Sequence, residues 1–319
     1  MKKRLLLALL VPAMLIMNCQ KSAAWGQIGH STIAQVAQNH LTPAAQEALS
    51  RYLDGLPLAI IASDADVYRS QWTVDLGFVP TNPEDARVPW LKEFDFTTPL
   101  NISPWTHSIT VDMDFNCYPT DNLDGAYINN AAYYIDKLAT QLKENAKNMD
   151  PYERYKAIAI IVHLMGDMHC PMHIVYLPDN VVKGHYYVEW KGKQRDMHVM
   201  WDGTIFDAYY DWSFLDMAYL VDTATPKQIK KITEGDVYDY AESSARDSWP
   251  VVSAYSDGDV LPKTYATDIR PVMFNQLRNG GYRLAAIFNE IFKYEGKAFP
   301  YSCPVSVVWF LCEHTSSEQ

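Results

Sequence analysis

The stretch HLMGDMHCPMH, residues His163 to His173, gathers three histidines, an aspartate and a cysteine into eleven residues. It closes an apolar segment, roughly 152–169, whose spacing predicts a helix. His163 and Asp167 are four apart and so lie one above the other on one helical face, where a single metal ion can touch both. Pro171 interrupts regular helical hydrogen bonding, which lets His173 be re-aimed toward the same pocket. The stretch therefore reads as a helix that presents metal ligands at its C-terminal end.

Outward from that helix, the same periodicity recurs. Ile28, Ile33, Ala34, Val36 and Ala37 form one apolar face, and Thr42 followed by Pro43 is a helix cap with proline at the first helical position. Segments near 126–147, 204–220, 226–247 and 270–293 also read as helices, with a break at 248–262 rich in Ser, Pro, Asp and Gly. The exception is His185 to Lys193, where aromatic and β-branched residues precede a Lys-Gly turn and predict a short β-hairpin. No internal repeat or low-complexity linker divides the chain. The expected fold is all-α: a single, mainly helical domain over residues 25–293 with one short hairpin, followed by a tail, 294–319, of no assigned role.

Residues 1–24 differ in kind. Lys2, Lys3 and Arg4 precede an apolar run from Leu5 to Met17, and Ser22, Ala23 and Ala24 follow. This is the pattern of a signal peptide, with an apolar run short for a membrane span. Cleavage after Ala24 leaves Trp25 as the first mature residue and the protein exported, periplasmic or secreted. The alternative is lipid modification at Cys19, for which Asn18 is a poor preceding residue. After cleavage the cysteines are Cys117, Cys170, Cys303 and Cys312, and an oxidising location would permit disulfides whose connectivity the spacing does not give.

Of 319 residues, 48% are hydrophobic and 20% charged, which argues for a folded globular chain. The net charge is −11, and removal of the leader makes the chain still more acidic. The basic stripe of a sequence-specific nucleic-acid binder is absent. A phosphate-bearing substrate would need local positive charge, for which bound metal is the obvious source.

Further clusters of metal-binding side chains exist. DMHVMWDG holds His198 and Asp202, again four apart; WGQIGH runs from Trp25 to His30; Asp66 lies in ASDADVYR beside Arg69; and His107 lies in PWTHSI. An HxxxD pair alone is common in helices, and a lone histidine is usually a packed or surface residue. Together, five histidines and three aspartates exceed the needs of one zinc ion and suit a multinuclear cluster that activates water and clamps phosphoryl oxygens. His169 and Cys170 fall off the ligand spacing and read as packing or supporting groups, as do His40, His185 and His314.

These motifs, WGQIGH, ASDADVYR, the histidine of WTHS, VHLMGDMHCPMH and MHVMWD, resemble in order and spacing those of the exported trinuclear-zinc nucleases. That family comprises single-strand-specific nucleases and 3'-nucleotidases, and shares a helical fold with zinc-dependent phospholipase C. The resemblance, from Trp25 to about Phe292, implies three zinc ions per chain. It implies that the amino group and carbonyl of Trp25, with His30 and Asp167, hold one; that Asp66, His107, His163 and a bridging Asp167 hold its neighbour; and that His173, His198 and Asp202 hold the third. Arg69 and Asp66 would be the catalytic residues, Arg69 by neutralising charge on the phosphoryl oxygens.

The implied substrates are single-stranded DNA or RNA and 3'-nucleotides, with 5'-phosphorylated products. The alternatives are a phospholipase C-like hydrolase and a non-enzymatic exported zinc-binding protein. The short spacing from Trp25 to His30, and Asp202 where the phospholipases use glutamate, favour the nuclease. Two departures bear on base recognition. Ser108 follows His107 where an aromatic residue is usual, and the Gly-Gly-Asn stretch usual before the hairpin is replaced by Lys183, Gly184, His185 and Tyr186. Tyr186, Tyr187 and Trp190 are candidates for replacement stacking.

Overall fold

The computed structural model describes residues 25–67, 107–117, 131–176, 186–209 and 212–294. The first helix, α1 (Gln27–Asn39), buries His30, Ile33, Ala34 and Ala37 along one face, at the spacing that predicts it. Thr42 accepts a hydrogen bond from the Ala45 N–H and Pro43 opens α2 (Pro43–Tyr52), so the expected cap is formed. Two short turns follow, α3 (Leu58–Ile61) and α4 (Asp64–Val67), and then β1 (Ile109–Val111).

The centre of the molecule is α6 (Pro151–Met168), which follows α5 (Ala131–Asn145). Asp150 caps α6 by accepting from the Tyr152 and Glu153 N–H groups, and Pro151 sits at its first position. From Lys156 to Met168 every residue is buried, as expected for a helix that is apolar nearly all round. Its neighbours α1, α4, α5 and α12 (Arg270–Ile291) surround it. Beyond α6, a 3-10 turn at Pro171–His173 runs straight into β2 (Ile174–Tyr176). β2 pairs in parallel with β1, Ile109 opposite Ile174 and Val111 opposite Tyr176. This two-stranded element was not expected from the sequence, because three-residue strands buried at nearly every position show no alternation to read.

The expected hairpin is present as β3 (Tyr187–Trp190) and β4 (Lys193–Asp196), paired antiparallel. Lys191 and Gly192 both take positive φ, 53° and 71°, the conformation a two-residue hairpin turn requires. The chain then enters α7 (Met197–Val199), which continues as a π-helical turn at Met200–Thr204 and a 3-10 turn at Phe206–Tyr209.

Segments expected as single helices are divided. The segment near 204–220 restarts at α8 (Phe214–Val221), because Ser213 and Asp216 form a capping box. The segment at 226–247 separates into α9 (Pro226–Ile232) and α10 (Val237–Val252), since Gly235 turns with φ 89° and Asp236 caps the second helix. Conversely, the expected break at 248 falls later: α10 continues through Pro250 to Val252. Packing of Trp249 against Tyr176 and Phe115 holds that last turn in place. A short turn, α11 (Tyr265–Asp268), leads into α12. Among the described residues, no helix is long and apolar enough to cross a membrane. Residues 1–24 and the tail from residue 295, with the assignments made for them, lie outside the described residues.

Candidate metal centre

The end of α6 is where the ligand candidates converge. His163 and Asp167, fully buried, project from one face of the helix, with His163 Nε2 3.3 Å from Asp167 Oδ2. From the β1 side comes His107, whose Nδ1 lies 2.8 Å from the same Asp167 oxygen and 3.2 Å from His163 Nε2. Asp66, on α4, places Oδ1 3.5 Å from His163 Nε2 and 3.8 Å from His107 Nδ1. The other Asp167 oxygen, Oδ1, faces His30 Nε2 at 3.4 Å. His30 enters from α1 and stacks on His163, ring centroids 4.1 Å apart.

This approach needs a missing side chain. A Cβ on Gly166 would lie 2.2 Å from His30 Nδ1, so only glycine lets α1 bring His30 against α6.

A second group forms beside the first. His173, from the 3-10 turn, places Nε2 3.7 Å from Asp202 Oδ1, and His198 places Nε2 3.2 Å from Asp202 Oδ2. The four-residue spacing of His198 and Asp202 thus brings them together as the sequence predicts, even though Asp202 sits on a π turn. The segment at Trp25 and Gly26 meets this group too. The Gly26 N–H donates to the Asp202 carbonyl, while the Trp25 ring is buried edge-on against Trp201 and Phe206.

Ring orientation follows a common rule in three of the histidines. Nδ1 of His163 donates to the Ala62 carbonyl at 2.9 Å, that of His173 to the His107 carbonyl at 2.6 Å, and that of His198 to the Met172 carbonyl at 3.3 Å. Each of these bonds engages Nδ1 and leaves Nε2 facing the cluster, which is how metal-binding imidazoles are held.

Charge and satisfaction point the same way. Burial pushes the His30 imidazole down to about 3, with His163 adding to the effect. At His163 burial also opposes the charged form, but Asp167 and Asp66 outweigh it and raise the imidazole to about 9. Asp167 is held below the usual carboxylate range despite burial, by His163 and His107. Burial raises Asp202 well above that range. Several polar atoms of these residues make no hydrogen bond among the described residues: both ring nitrogens of His30, Asp66 Oδ2, His107 Nε2, Asp167 Oδ1, His173 Nε2 and Asp202 Oδ2. Buried polar groups are rarely left so, and a cluster of them is costly unless cations fill it. Three donor groups lie within reach of a metal: His30, Asp66 and His163; His107, His163 and Asp167; and Cys170, His173 and Asp202. The donor set of imidazole and carboxylate suits zinc.

A family model for S1/P1 nuclease matches residues 25–293. The chain belongs to the S1/P1 nuclease family. Among its relatives, Endonuclease 2 of Arabidopsis thaliana is 24% identical over 292 residues, spanning 84% of this chain and 90% of the plant protein. Nuclease P1 of Penicillium citrinum is 24% identical over 299 residues, spanning 84% and 97% of the two chains. Nuclease S1 of Aspergillus oryzae is 23% identical over 301 residues, spanning 84% and 91%. As an S1/P1 nuclease the chain is a hydrolase of phosphodiester bonds in nucleic acid, of a zinc-dependent family, and the helical fold matches that membership.

Arg69 lies outside the described residues. Of the hairpin aromatics, Tyr186 and Trp190 are buried and present no open face, whereas Tyr187 is half exposed. His169, taken as a supporting group, accepts from Arg283 Nη1 at 2.9 Å and donates to the Met165 carbonyl. His40 pairs with Asp222 at 2.8 Å. Cys170 is nearer the metal donors than its spacing suggested, with Sγ 3.9 Å from Asp202 Oδ1. Its position depends on how residues 197–204 dock, a tertiary fact with no local sequence signal.

Proposed function

We propose that the mature chain, beginning at Trp25 and exported, holds three zinc ions in this cluster and cleaves single-stranded DNA or RNA to 5'-phosphorylated products, with 3'-nucleotides as further substrates. The observation that carries this reading is the concentration of buried donors without hydrogen-bond partners at the end of α6. Trp25, through its amino group and carbonyl, would join His30 and Asp167; Asp66, His107, His163 and Asp167 would form the neighbouring position; His173, His198 and Asp202 would form the third. The two Asp167 oxygens face different histidines, Oδ1 toward His30 and Oδ2 toward His107 and His163, which suits a shared carboxylate. Residues 25–293 form the catalytic unit in this reading.

Bound zinc supplies Lewis acidity, lowering the pKa of water for attack on phosphorus and stabilising the departing oxygen. The protein's own groups do the rest. Asp66 and Asp167 would hold the metal positions together with the histidines they face, Arg69 would neutralise charge on the phosphoryl oxygens, and the His163, His173 and His198 bonds to backbone carbonyls would keep their Nε2 atoms aimed inward. Because the cluster addresses phosphate and not base edges, cleavage is expected without sequence specificity. Ser108, in place of an aromatic, forgoes a stacking contact that supplies about 1–3 kcal/mol, so weaker substrate binding is expected than with a stacking residue there.

Zinc-loaded protein assayed side by side on oligonucleotides, 3'-nucleotides and phosphatidylcholine tests the proposal. Oligonucleotide fragments ending in 5'-phosphate are expected. Release of phosphocholine without nucleotide cleavage would move the chain to the phospholipase branch, and silence on all three substrates with zinc bound would make it a binding protein.

A further inference from the structure

Cys170 is fully buried at the start of the 3-10 turn that delivers His173. Its sulfur approaches Asp202 Oδ1 at 3.9 Å, and that same oxygen lies 3.7 Å from His173 Nε2. Donors bound to one zinc at about 2.0–2.3 Å in tetrahedral array stand about 3.3–3.8 Å apart. The separations around Asp202 fall close to that range, and Cys170, His173 and Asp202 offer donor atoms that all lie within 4.8 Å of one another. The backbone N–H groups of Met172 and Trp25 face the sulfur, while burial and the Asp202 carboxylate push the thiol up. His173 Nε2 and Asp202 Oδ2, both on residues at least nine-tenths buried, make no hydrogen bond, so the pocket the sulfur faces is one whose other walls already call for a cation.

Resting on the three-zinc reading above, we propose that Cys170 is a fourth protein donor to the third metal position, completing a His173, His198, Asp202 and Cys170 set. As the metal–sulfur bond forms, the S–H bond breaks and its proton passes to solvent. A thiolate donor makes this position softer than the other two, so it selects zinc over manganese or magnesium. It also gives the position the four protein ligands of a closed zinc site where three would leave it open. Substrate therefore competes with the Cys170 sulfur for the last place at this position, which makes Cys170 a determinant of both metal retention and turnover. The Trp25 amino group, when it acts as a ligand of the neighbouring position, still carries an N–H to direct at the sulfur, so the two assignments are compatible.

Zinc-edge X-ray absorption on the mature parent protein reads the sulfur directly, and metal counting on the same sample reads the cluster. The expected result is three zincs with a sulfur scatterer at about 2.3 Å, amounting to roughly one sulfur per three metals. In the cobalt-substituted protein, a near-ultraviolet sulfur-to-cobalt charge-transfer band should appear, vanish in Cys170→Ser and persist in Cys117→Ser. Cys170→Ser should also release one zinc at lower chelator concentration than the parent. Three metals with no sulfur shell, or a band that depends on Cys117 in place of Cys170, would overturn the proposal and leave the three-zinc cluster standing. A parent that binds fewer than three metals, with the His173 and Asp202 position empty, would overturn the cluster and this inference with it. Should Cys170→Ser fail to fold, the absorption spectrum of the parent alone still decides between a bound sulfur and a thiol that merely donates to Asp202.

Discussion

Asp167 concentrates the chemistry of the centre into two oxygens, Oδ1 toward His30 and Oδ2 toward His107 and His163. Asp167→Asn is therefore expected to lose more than one zinc, whereas His198→Ala should empty chiefly the third position; metal analysis of the two purified variants checks the contrast. Gly166 carries no donor, yet its variant should behave like a ligand mutant. In Gly166→Ala the new methyl meets the His30 ring, so the variant is expected to lose about 1–3 kcal/mol of stability through overpacking and to bind less zinc than the parent. A denaturant melt with metal counting on the same preparation would show it, and unchanged zinc content would contradict the fitted placement of His30. At this scale the sequence was informative wherever ligands come in pairs four apart, as at His163 with Asp167 and His198 with Asp202. It was silent on Gly166 and read Cys170 as a packing or supporting group, because the surroundings of both arise only when a second element arrives against them.

Among the elements, α6 depends on what braces its far end. Ser244 of α10 donates to the Met168 carbonyl at 2.8 Å, one of the carbonyls a helix terminus leaves without an internal partner. Arg283 of α12 donates to His169 and also to the Ile232 and Tyr240 carbonyls and to Ser243. Burial, with Arg283 second, depresses the His169 imidazole to about 3. Since the unfolded value is about 6.5, the unfolded chain binds the extra proton between these limits; the neutral ring's contribution to stability is present above pH 6.5 and is lost as pH falls toward 3. In metal-free protein, His169→Gln should accordingly flatten the acid loss of stability across that window, read by thermal melts at stepped pH; an unchanged slope would contradict the buried neutral imidazole. Local signals also set the element boundaries. Ser213 with Asp216 and Asp236 with Asp239 are capping pairs written in the chain, and they divide helices that apolar periodicity alone merges. The β1–β2 pair had no such signal, because neither three-residue strand can pair without the other.

Across the whole molecule, the centre joins segments distant in the chain: the start of α1, α4, the β1 edge, the end of α6 and the turn after α7. The unfolded chain holds no such preformed arrangement, so metal binding is also folding free energy. Removing zinc with a chelator should lower the thermal midpoint, and zinc should restore it where magnesium, a hard ion that prefers oxygen ligands, should not. Calorimetry of the parent before and after chelation checks this. The mainly helical architecture was legible in the chain because its apolar spacing repeats at short range. The mutual placement of the donors was not, since it is set by how α1, α6 and α7 dock. The most direct test is therefore to locate the metals themselves, by anomalous diffraction at the zinc edge from crystals of the mature, zinc-loaded protein. Three zinc peaks are predicted, two sharing Asp167 and one between His173, His198 and Asp202; a single peak, or none within reach of Asp167, would contradict the account.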